Sequence, residues 1–493
     1  MSLSSLIPVS ESQRTTFITP SRLLPPLVVD LDGTLVKTNL LLESLFSMVR
    51  LAPLLLFALP FWLLKGRAHL KSEIARRARV DVASLPYRQI LVEYLQVEQN
   101  KGRSIVLATG SDERLAHQVA DHLKLFDSVL ASDGSTNLKG ENKRQRLVNH
   151  FGEKAFDYIA NGRTDVVVWS SARKAIVVTR SRHLLRAVAR VAEVNSIFED
   201  PRTKLSEFLN TLRPQQWLKN VLVLVPLFAA HRFSEPALMG KVFLAFVAFC
   251  CCASSGYLLN DLLDLSTDRR HPTKYLRPFA SGRFPFSYAL SMSVVLPGLG
   301  ISLAALVSGR LVSVLLLYFV LSLTYSLYLK TVVLLDVILL AGLYTLRIAA
   351  GAIAITVWPS EWLLALSMFL FLSLALVKRY GELVYLRGVT KRYAGTRNYE
   401  VADSELLASM GTASGFIAVL VLALYITSGA ATHLYARGDF MWVLCPLLLS
   451  WIGRIWLVAH RGKMHDDPFV FALRDPTSRI LIVLMLGTAL LAI

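Results

Sequence analysis

The stretch Asn260–Gly282, NDLLDLSTDRRHPTKYLRPFASG, is the part of the chain from which fold and function can be predicted most directly. It follows an apolar run long enough to cross a membrane, and it is acidic in its first half and basic in its second. If the helix of that run continues, Asp261, Asp264 and Asp268 share one face. That face, with Asn260 beside it, can hold Mg²⁺, which prefers oxygen ligands and commonly bridges carboxylates to substrate phosphates. The alternative is an ordinary solvated loop between two membrane spans.

The composition is that of a polytopic membrane protein. Hydrophobic residues make up 54% of the 493 residues, and the mean hydropathy is +0.49. The formal net charge is +18, but the basic residues lie mainly between apolar runs and in the first 200 residues. Anionic lipid head groups and phosphorylated substrates are therefore expected as partners, and nucleic acid is not. Three of the four cysteines are consecutive, which suggests neither a disulfide framework nor a metal motif.

Apolar runs recur throughout residues 201–493 and predict an all-α polytopic membrane domain with about nine transmembrane helices. We place them near residues 215–231, 240–259, 287–307, 311–329, 332–356, 361–379, 411–429, 439–459 and 478–493. The loops at 260–286, 378–400 and 460–479 are rich in Lys and Arg, which predicts that they are cytoplasmic. The protein is then a multi-pass protein of the inner (plasma) membrane, with its N-terminal domain in the cytoplasm. A homo-oligomer is compatible with the sequence.

Residues 1–200 predict a separate α/β domain with a Rossmann-like parallel sheet. Four short runs are interpreted as strands: Leu27–Val29, Ser104–Leu107, Val166–Trp169 and Ala175–Val178. A helical cap is placed at about residues 38–100. Within it, the apolar stretch 41–64 is interrupted by Arg50 and two prolines, which favours a cap helix resting on the membrane surface over a membrane span.

The segment Asp30-Leu31-Asp32-Gly33-Thr34 follows the first predicted strand. A carboxylate at a strand end can attack phosphorus, and the carboxyl group two residues later can protonate the leaving oxygen. Asp30 and Asp32 are therefore candidate catalytic residues.

This segment resembles the first motif, DxDGT, of the haloacid dehalogenase superfamily of phosphohydrolases, and the resemblance extends over roughly residues 25–180. It implies that Thr109 and Gly110 bind the phosphoryl group and that Lys143, or alternatively Lys139, neutralises it. It also implies a Mg²⁺ site formed by Asp30, Asp32, Asn161 and Asp165. The chain has Ala160-Asn161 where the family usually has Gly-Asp, so one negative charge is missing. A degenerate regulatory domain is the alternative to an active phosphatase.

The C-terminal half resembles the UbiA-type superfamily of intramembrane prenyltransferases through NDLLDLSTD and the number of predicted spans. Members hold Mg²⁺ and a diphosphate between two aspartate-rich helix ends, but here the second region contains only Asp336. The segments LRPQQWLKN, HPTKYLRPFASG and YSLYLK resemble the decaprenyl-phosphate phosphoribosyltransferase branch, which implies 5-phosphoribosyl diphosphate as donor and a polyprenyl phosphate as acceptor. The resemblance implies that Asn260, Asp261, Asp264 and Asp268 hold Mg²⁺. Candidate substrate-binding residues are Lys219, Lys274, Arg277, Tyr325, Lys330, Asp336, Arg347, Lys378 and Arg379.

Arg347 is the most informative of these residues, because a charged side chain on an apolar helix is costly and is usually paired or functional. A structural salt bridge with Asp336, eleven residues earlier, is the alternative to substrate binding. Tyr325 could position the donor or merely pack.

The two halves together suggest a bifunctional enzyme. The transferase would make a polyprenyl phosphoribose, and the phosphatase would remove its 5-phosphate, giving polyprenyl-phosphoryl ribose for arabinofuranose donors in cell wall biosynthesis. Two other hypotheses stay open. One is a prenyltransferase that uses an isoprenyl diphosphate and has a regulatory N-terminal domain, and the other is a transporter or scaffold.

Overall fold

The structure is a computed structural model and describes residues 24–200, 205–387, 398–464 and 467–493. It divides into two compact units, Met1–Arg202 (unit 1) and Thr203–Ile493 (unit 2). Each unit is described by itself.

Unit 1 is a parallel-sheet α/β domain. Its strands and helices are, in chain order, β1 Leu27–Val29, α1 Leu40–Leu51, α2 Leu59–Leu64, α3 Arg67–Arg77, α4 Gln89–Asn100, β2 Ile105–Asp112, α5 Glu113–Leu123, β3 Ser128–Ser132, α6 Glu141–Phe151, β4 Asp157–Ala160, α7 Val166–Trp169, β5 Lys174–Val178, α8 Arg182–Ala189 and β6 Glu193–Phe198. Short 3₁₀ helices lie at Pro53–Ala58, Val82–Ser84 and Arg163–Asp165.

The six strands pair in the order β3-β2-β1-β4-β5-β6, and all pairs are parallel. Strand β1 is fully buried and lies between β2 and β4, with Leu27 opposite both Ile105 and Asp157. Strands β2 and β3 extend the sheet on one side of β1, and strands β4, β5 and β6 then extend it on the other side. The carboxyl end of β1 is therefore a switch in strand order, the position at which open α/β sheets form ligand sites.

Three of the four predicted strands are present, and one is wrong. Leu27–Val29 matches β1, and the runs at 104–107 and 175–178 lie in or overlap β2 and β5. Val166–Trp169 is instead the helix α7, which continues from the 3₁₀ helix Arg163–Asp165. Val168 and Trp169 are buried by this turn, and a four-residue apolar run cannot distinguish a buried strand from a buried helical turn.

The predicted cap stretch 41–64 is not one continuous helix. Helix α1 ends at Leu51, a 3₁₀ helix starts at Pro53, and α2 is only six residues long. Both of the later pieces begin with a proline in their first turn, where its missing N–H is tolerated. A single span across this stretch is therefore not formed.

Unit 2 is helical. Its α-helices are α9 Leu205–Thr211, α10 Val225–Ala229, α11 Pro236–Leu263, α12 Leu265–Arg270, α13 Phe286–Val307, α14 Gly309–Leu327, α15 Leu335–Ala354, α16 Glu361–Arg387, α17 Ser404–Thr427, α18 Gly429–Leu434, α19 Leu444–His460, α20 Pro468–Arg474 and α21 Pro476–Ala492. Its 3₁₀ helices are Pro214–Leu224, Lys274–Leu276, Leu329–Thr331, Val401–Asp403 and Gly438–Val443.

Seven helices in the described part of the chain are long and apolar enough to cross a membrane, so the protein is a multi-pass membrane protein. The predicted count of nine is not confirmed. The segment predicted near 215–231 is a 3₁₀ helix, Pro214–Leu224, followed by the short α10, and the last predicted span is the 17-residue α21.

The 3₁₀ helix Pro214–Leu224 packs closely against α15. A Cβ atom at Gly351 would lie 2.0 Å from the carbonyl oxygen of Val223, so only glycine allows this approach. The contact brings the polar residues of the 3₁₀ helix into the helical bundle, where Asn220 is fully buried.

Candidate active sites

The first candidate site lies at the carboxyl end of β1. Asp30 follows the strand directly and is buried. The ammonium group of Lys143, from α6, donates a hydrogen bond to Asp30 Oδ1 at 2.7 Å, and the Thr34 hydroxyl donates to Asp30 Oδ2 at 3.1 Å. Of the two candidate lysines, Lys143 is the one that pairs with Asp30, and one carboxylate oxygen of Asp30 therefore lies against a cation.

Asp32 is fixed by two donors from different elements. The Leu40 N–H at the start of α1 donates to Asp32 Oδ1 at 2.7 Å, and the Ser111 hydroxyl donates to Asp32 Oδ2 at 2.6 Å. Burial raises the pKa of Asp32 in spite of these hydrogen bonds. A raised pKa is the property that a carboxyl group needs in order to deliver a proton to a leaving oxygen.

Asp165 and Tyr158 complete a network around Lys143. Lys143 donates to the Tyr158 hydroxyl at 3.0 Å, Tyr158 donates to Asp165 Oδ1 at 2.9 Å, and Lys143 Nζ lies 3.7 Å from Asp165 Oδ1. Burial and the charge of Asp30 raise the pKa of Asp165. Sequence reasoning missed Tyr158, which lies in β4, a strand that was not predicted.

Asn161 sits beside the turn that follows β1. The Thr34 hydroxyl lies 3.3 Å from Asn161 Oδ1. Gly33 has φ of +75°, and a Cβ atom there would lie 2.3 Å from Asn161 Nδ2. The glycine is therefore required both by its backbone conformation and by the asparagine side chain.

The end of β2 contributes further polar groups to the first candidate site. Thr109 is fully buried, and its hydroxyl accepts the N–H of Ser111 at 3.0 Å. The Gly110 carbonyl accepts a hydrogen bond from Lys71, a residue of α3, which also donates to Asn137 Oδ1 at 2.8 Å. Burial lowers the pKa of Lys71. Lys71 was missed, because a lysine in a basic helix looks like a solvated surface residue.

The donor chemistry at this site fits Mg²⁺. Asp30 and Asp165 approach the same ammonium group, and Asn161 offers an amide oxygen nearby, so hard oxygen atoms converge on one place.

The second candidate site is the acidic segment at the end of α11, named here the Asp261 cluster: Asn260, Asp261, Asp264, Asp268, Arg213, Arg277 and Lys330. The helix breaks at Asp264, between α11 and α12, but the Asp264 and Asp268 N–H groups still donate four residues back, to Asn260 at 2.9 Å and Asp264 at 2.8 Å. The helical backbone hydrogen bonding on which the shared face of Asp261, Asp264 and Asp268 depends therefore continues through the break.

Every aspartate of this cluster is paired with a basic side chain. Arg277 bridges Asp261 at 3.2 Å and Asp268 at 2.6 Å, and Arg213 pairs with Asp261. On the other side, Lys330 Nζ lies 3.1 Å from both Asp264 oxygens and 3.4 Å from Asn260 Oδ1. Arg213 was not predicted, although it lies in the quoted LRPQQWLKN segment.

Lys274 is placed at the same loop, since the Arg277 N–H donates to its carbonyl oxygen at 2.9 Å. The oxygen donors of the Asp261 cluster fit the chemistry of Mg²⁺, but their basic partners would have to turn toward another anion for metal to bind. In the ranges that the structure describes, no group of three or more His, Cys, Asp or Glu side chains is already arranged to hold a metal ion.

Asp336 belongs to a different group, the Asp336 cluster, formed with Tyr325, Arg379, Glu382 and Tyr399. Arg379 Nε donates to Asp336 Oδ2 at 2.6 Å, and the Tyr399 hydroxyl donates to Asp336 Oδ1 at 2.5 Å. Arg379 also contacts Glu382 at 2.8 Å and the Tyr325 hydroxyl at 3.3 Å. Both oxygens of Asp336 are thus used by protein donors.

Lys219 and Lys378 share one carboxylate, Asp467, at distances of 2.8 and 3.1 Å. Burial alone would raise the pKa of Asp467, but Lys378 and Lys219 together hold it well below its usual range. Sequence reasoning missed Asp467 because it lies in a loop judged only by its basic residues.

Arg347 has neutral hydrogen-bond partners. It donates to Asn220 Oδ1 at 2.8 Å, to the Tyr318 hydroxyl at 2.8 Å and to the Leu343 carbonyl at 2.6 Å. Its eleven-residue separation from Asp336 amounts to roughly 16 Å along α15. The alternative of a salt bridge between these two residues is therefore wrong, and Asp336 pairs with Arg379 instead.

Comparison with known families identifies the second unit. A model of the UbiA prenyltransferase family matches residues 221–474, just over half of the 493 residues. The matched stretch includes the acidic segment and most of its basic partners. The chain belongs to the UbiA prenyltransferase family.

Relatives of this UbiA-family chain differ in how much of it they cover. The uncharacterized protein y4nM of Sinorhizobium fredii is 36% identical over 459 residues, which are 92% of this chain and 88% of that protein. This alignment is longer than unit 2, so it includes part of unit 1. The decaprenyl-phosphate phosphoribosyltransferase of Mycolicibacterium smegmatis is 30% identical over 296 residues, 58% of this chain and 92% of that protein.

Solved structures of the family are also similar in part. A UbiA homolog from Archaeoglobus fulgidus bound to GPP and Mg²⁺ matches with a TM-score of 0.46 and 17% identity, over 58% of this chain and 99% of that chain.

Proposed function

We propose that this UbiA-family protein transfers 5-phosphoribose from 5-phosphoribosyl diphosphate to a polyprenyl phosphate, with release of diphosphate. Unit 1 then removes the 5-phosphate to give a polyprenyl-phosphoryl ribose. The observation that carries the transfer step is the Asp261 cluster, which combines acidic oxygen donors with Arg213, Arg277 and Lys330. The relative named decaprenyl-phosphate phosphoribosyltransferase supports the choice of donor and acceptor.

The bond changes of the transfer step suit these residues. A phosphate oxygen of the lipid attacks the anomeric carbon of ribose, and the bond from that carbon to the diphosphate oxygen breaks. Negative charge then accumulates on the leaving diphosphate, which Arg277 and Lys330 can stabilise by turning from the aspartates to the phosphates. Mg²⁺ held by Asp261, Asp264 and Asp268 would neutralise further charge on the diphosphate. The acceptor phosphate is already an anion, so a general base is not required.

Asp336 favours this donor over an isoprenyl diphosphate. A second acidic motif for metal would need several carboxylates, but Asp336 is the one acidic residue in the segment 324–347. In addition, Arg379 and Tyr399 donate hydrogen bonds to its two oxygens. The remaining cations, Lys219, Lys378 and Arg347, instead provide positive charge for phosphate groups of donor or acceptor.

Unit 1 is proposed to be an active phosphatase of the haloacid dehalogenase type. Asp30 attacks the 5-phosphate, the bond from phosphorus to the ribose oxygen breaks, and Asp32 gives that oxygen a proton. Lys143 stabilises the phosphoryl oxygens, and Mg²⁺ held by Asp30, Asp165 and Asn161 would add to this. Water then releases inorganic phosphate from Asp30.

An experiment with the purified full chain in nanodiscs tests both steps. With 5-phosphoribosyl diphosphate and decaprenyl phosphate, diphosphate and inorganic phosphate should be released in equal amounts. Asp30→Asn should abolish only phosphate release, and Asp264→Asn should abolish both, because the phosphatase then has no substrate. Diphosphate release without phosphate release from the parent would refute the coupled function.

Donor competition separates the proposal from the alternative prenyltransferase. Geranylgeranyl diphosphate, added in excess, should be neither consumed nor strongly inhibitory. Its consumption with an acceptor lipid would overturn the proposed donor.

A further inference from the structure

An exposed apolar surface on unit 1, named here the cap patch, consists of Leu51, Leu54, Phe57, Phe61 and Leu64. The exposed fractions of Leu54, Phe57, Phe61 and Leu64 are 73%, 76%, 68% and 85%. All of the 3₁₀ helix Pro53–Ala58 and all of α2 lack buried residues. A contiguous apolar surface of this kind on a folded protein marks a contact with a partner or a membrane.

Basic side chains border the cap patch. Lys65 and Arg67 follow it directly and are exposed, and the guanidinium carbon of Arg77 lies 4.7 Å from the centre of the Trp62 ring. The sequence has no acidic residue between Glu43 and Glu73. Apolar side chains with tryptophan and basic residues at their border are typical of segments that lie in the interface of an anionic membrane.

The positive charge of Lys65 and Arg67 selects among the possible partners of the cap patch. If two copies paired through the cap patch, Lys65 and Arg67 of each copy would meet like charges, which opposes association. An anionic lipid surface would attract them. Unit 2 is itself a membrane domain, and it follows unit 1 closely in the sequence. Unit 1 ends at Arg202, and the first helix of unit 2 starts at Leu205. Such a short connection gives the cap patch a high effective concentration at the bilayer.

The cap also reaches the first candidate site. Helix α3 packs beside α2, and its Lys71 donates to Gly110 and Asn137 at the end of β2. We propose that the cap patch inserts into the lipid interface and that unit 1 therefore takes its phosphomonoester from the membrane surface. The docking stands on the cap patch alone, whereas the choice of a lipid-linked substrate rests on the proposed phosphatase function.

Quenching by spin-labelled lipid tests the docking. The full chain, with Cys250, Cys251, Cys252 and Cys445 replaced by Ser, would carry Phe57→Cys or Phe61→Cys labelled with the fluorophore NBD. One copy would be placed in each nanodisc of phosphatidylcholine and phosphatidylglycerol. We expect NBD emission to fall by about half or more when the lipid carries a doxyl group near the head of its acyl chain. NBD emission at the matched control Val97→Cys, an exposed position on α4, should stay unchanged.

Each other outcome contradicts the docking. Equal quenching at the two patch positions and at the control would show no preferred contact. Blue-shifted emission that doxyl lipid does not quench would show that another part of the chain covers the cap patch. NBD emission that is neither blue-shifted nor quenched would show that the cap patch is exposed to water.

A functional measurement tests the substrate. The triple variant Phe57→Ser, Phe61→Ser, Leu64→Ser should hydrolyse the lipid-linked phosphoribose about tenfold more slowly, because its effective concentration at the lipid falls. Its hydrolysis of soluble p-nitrophenyl phosphate should match the parent, which also shows that it is folded. An unchanged rate on the lipid substrate would overturn the proposed substrate source. If the parent hydrolyses neither compound, the phosphatase proposal fails while the quenching result still decides the docking.

Discussion

Replacing Asp336 by Asn perturbs the most deeply buried ion pair among the described residues of unit 2. Asp336 and Arg379 have side-chain exposures of 0% and 1%, and Asp336 accepts hydrogen bonds from Arg379 and Tyr399. The variant removes the negative charge but keeps the size of the side chain. It leaves the guanidinium of Arg379 with Glu382, whose side chain is 44% exposed, as its remaining carboxylate partner.

The size of the effect follows from this arrangement. Removing one member of a buried pair typically costs about 3–5 kcal/mol, because the other charge is left without compensation. The retained contact with Glu382 places Asp336→Asn at the lower end, at about 3 kcal/mol. Adding Arg379→Met removes the uncompensated charge, so the double variant should be about 2 kcal/mol more stable than the sum of the single effects.

Thermal unfolding in detergent, followed by tryptophan fluorescence, measures the cycle. Asp336→Asn should lower the Tm by about 6 °C or more. The control Glu235→Gln, in an exposed pair with Arg232, should leave the Tm unchanged. The folded Asp336→Asn protein should still transfer phosphoribose. Wild-type stability combined with lost transfer would refute the structural role and assign Asp336 to the donor site.

The remaining predictions concern the two proposed reactions. Lys143→Met should reduce phosphate release by about a thousandfold, since the residue contacts Asp30, whereas Lys139→Met should keep most of it; the reverse order would contradict the assignment. Lys330→Met should slow diphosphate release by about a hundredfold without changing hydrolysis of p-nitrophenyl phosphate, and equal loss of both would indicate misfolding. EDTA should stop both reactions and Mg²⁺ should restore them; full activity in EDTA would exclude the metal roles proposed for the aspartates.

The strongest sequence signals were those with a local physical cause. Strand Leu27–Val29 is apolar on both faces and buried on both, so its position was predicted correctly, and with it the place of Asp30. The strand prediction for Val166–Trp169 was wrong because four apolar residues are too few to show a periodicity. In the structure they continue the preceding 3₁₀ helix as an α-helix. The segment near 215–231 was apolar enough for a span. Instead it forms a 3₁₀ helix and a short α-helix, each with a proline in its first turn, and Val223 of the 3₁₀ helix packs against Gly351.

Pairing between distant residues could not be predicted from one sequence. Asp261, Asp264 and Asp268 were visible as a motif, but their partners Arg213 and Lys330 lie 48 and 66 residues away from Asp261 and Asp264. In the same way, Arg347 and Asp336 were both identified as candidates, with a salt bridge between them as one alternative. Only the packing of α15 against α16 and the 3₁₀ helix Pro214–Leu224 shows that the two residues have different partners.

A donor labelled at two positions tests the central claim most directly. The full chain in nanodiscs would receive decaprenyl phosphate and 5-phosphoribosyl diphosphate that carries carbon-14 in the ribose and phosphorus-32 at the 5-phosphate. The extracted lipid should contain carbon-14 without phosphorus-32, and Asp30→Asn should retain both labels in the lipid. A lipid fraction without carbon-14, under conditions in which the protein is folded and Mg²⁺ is present, would contradict the proposed transfer.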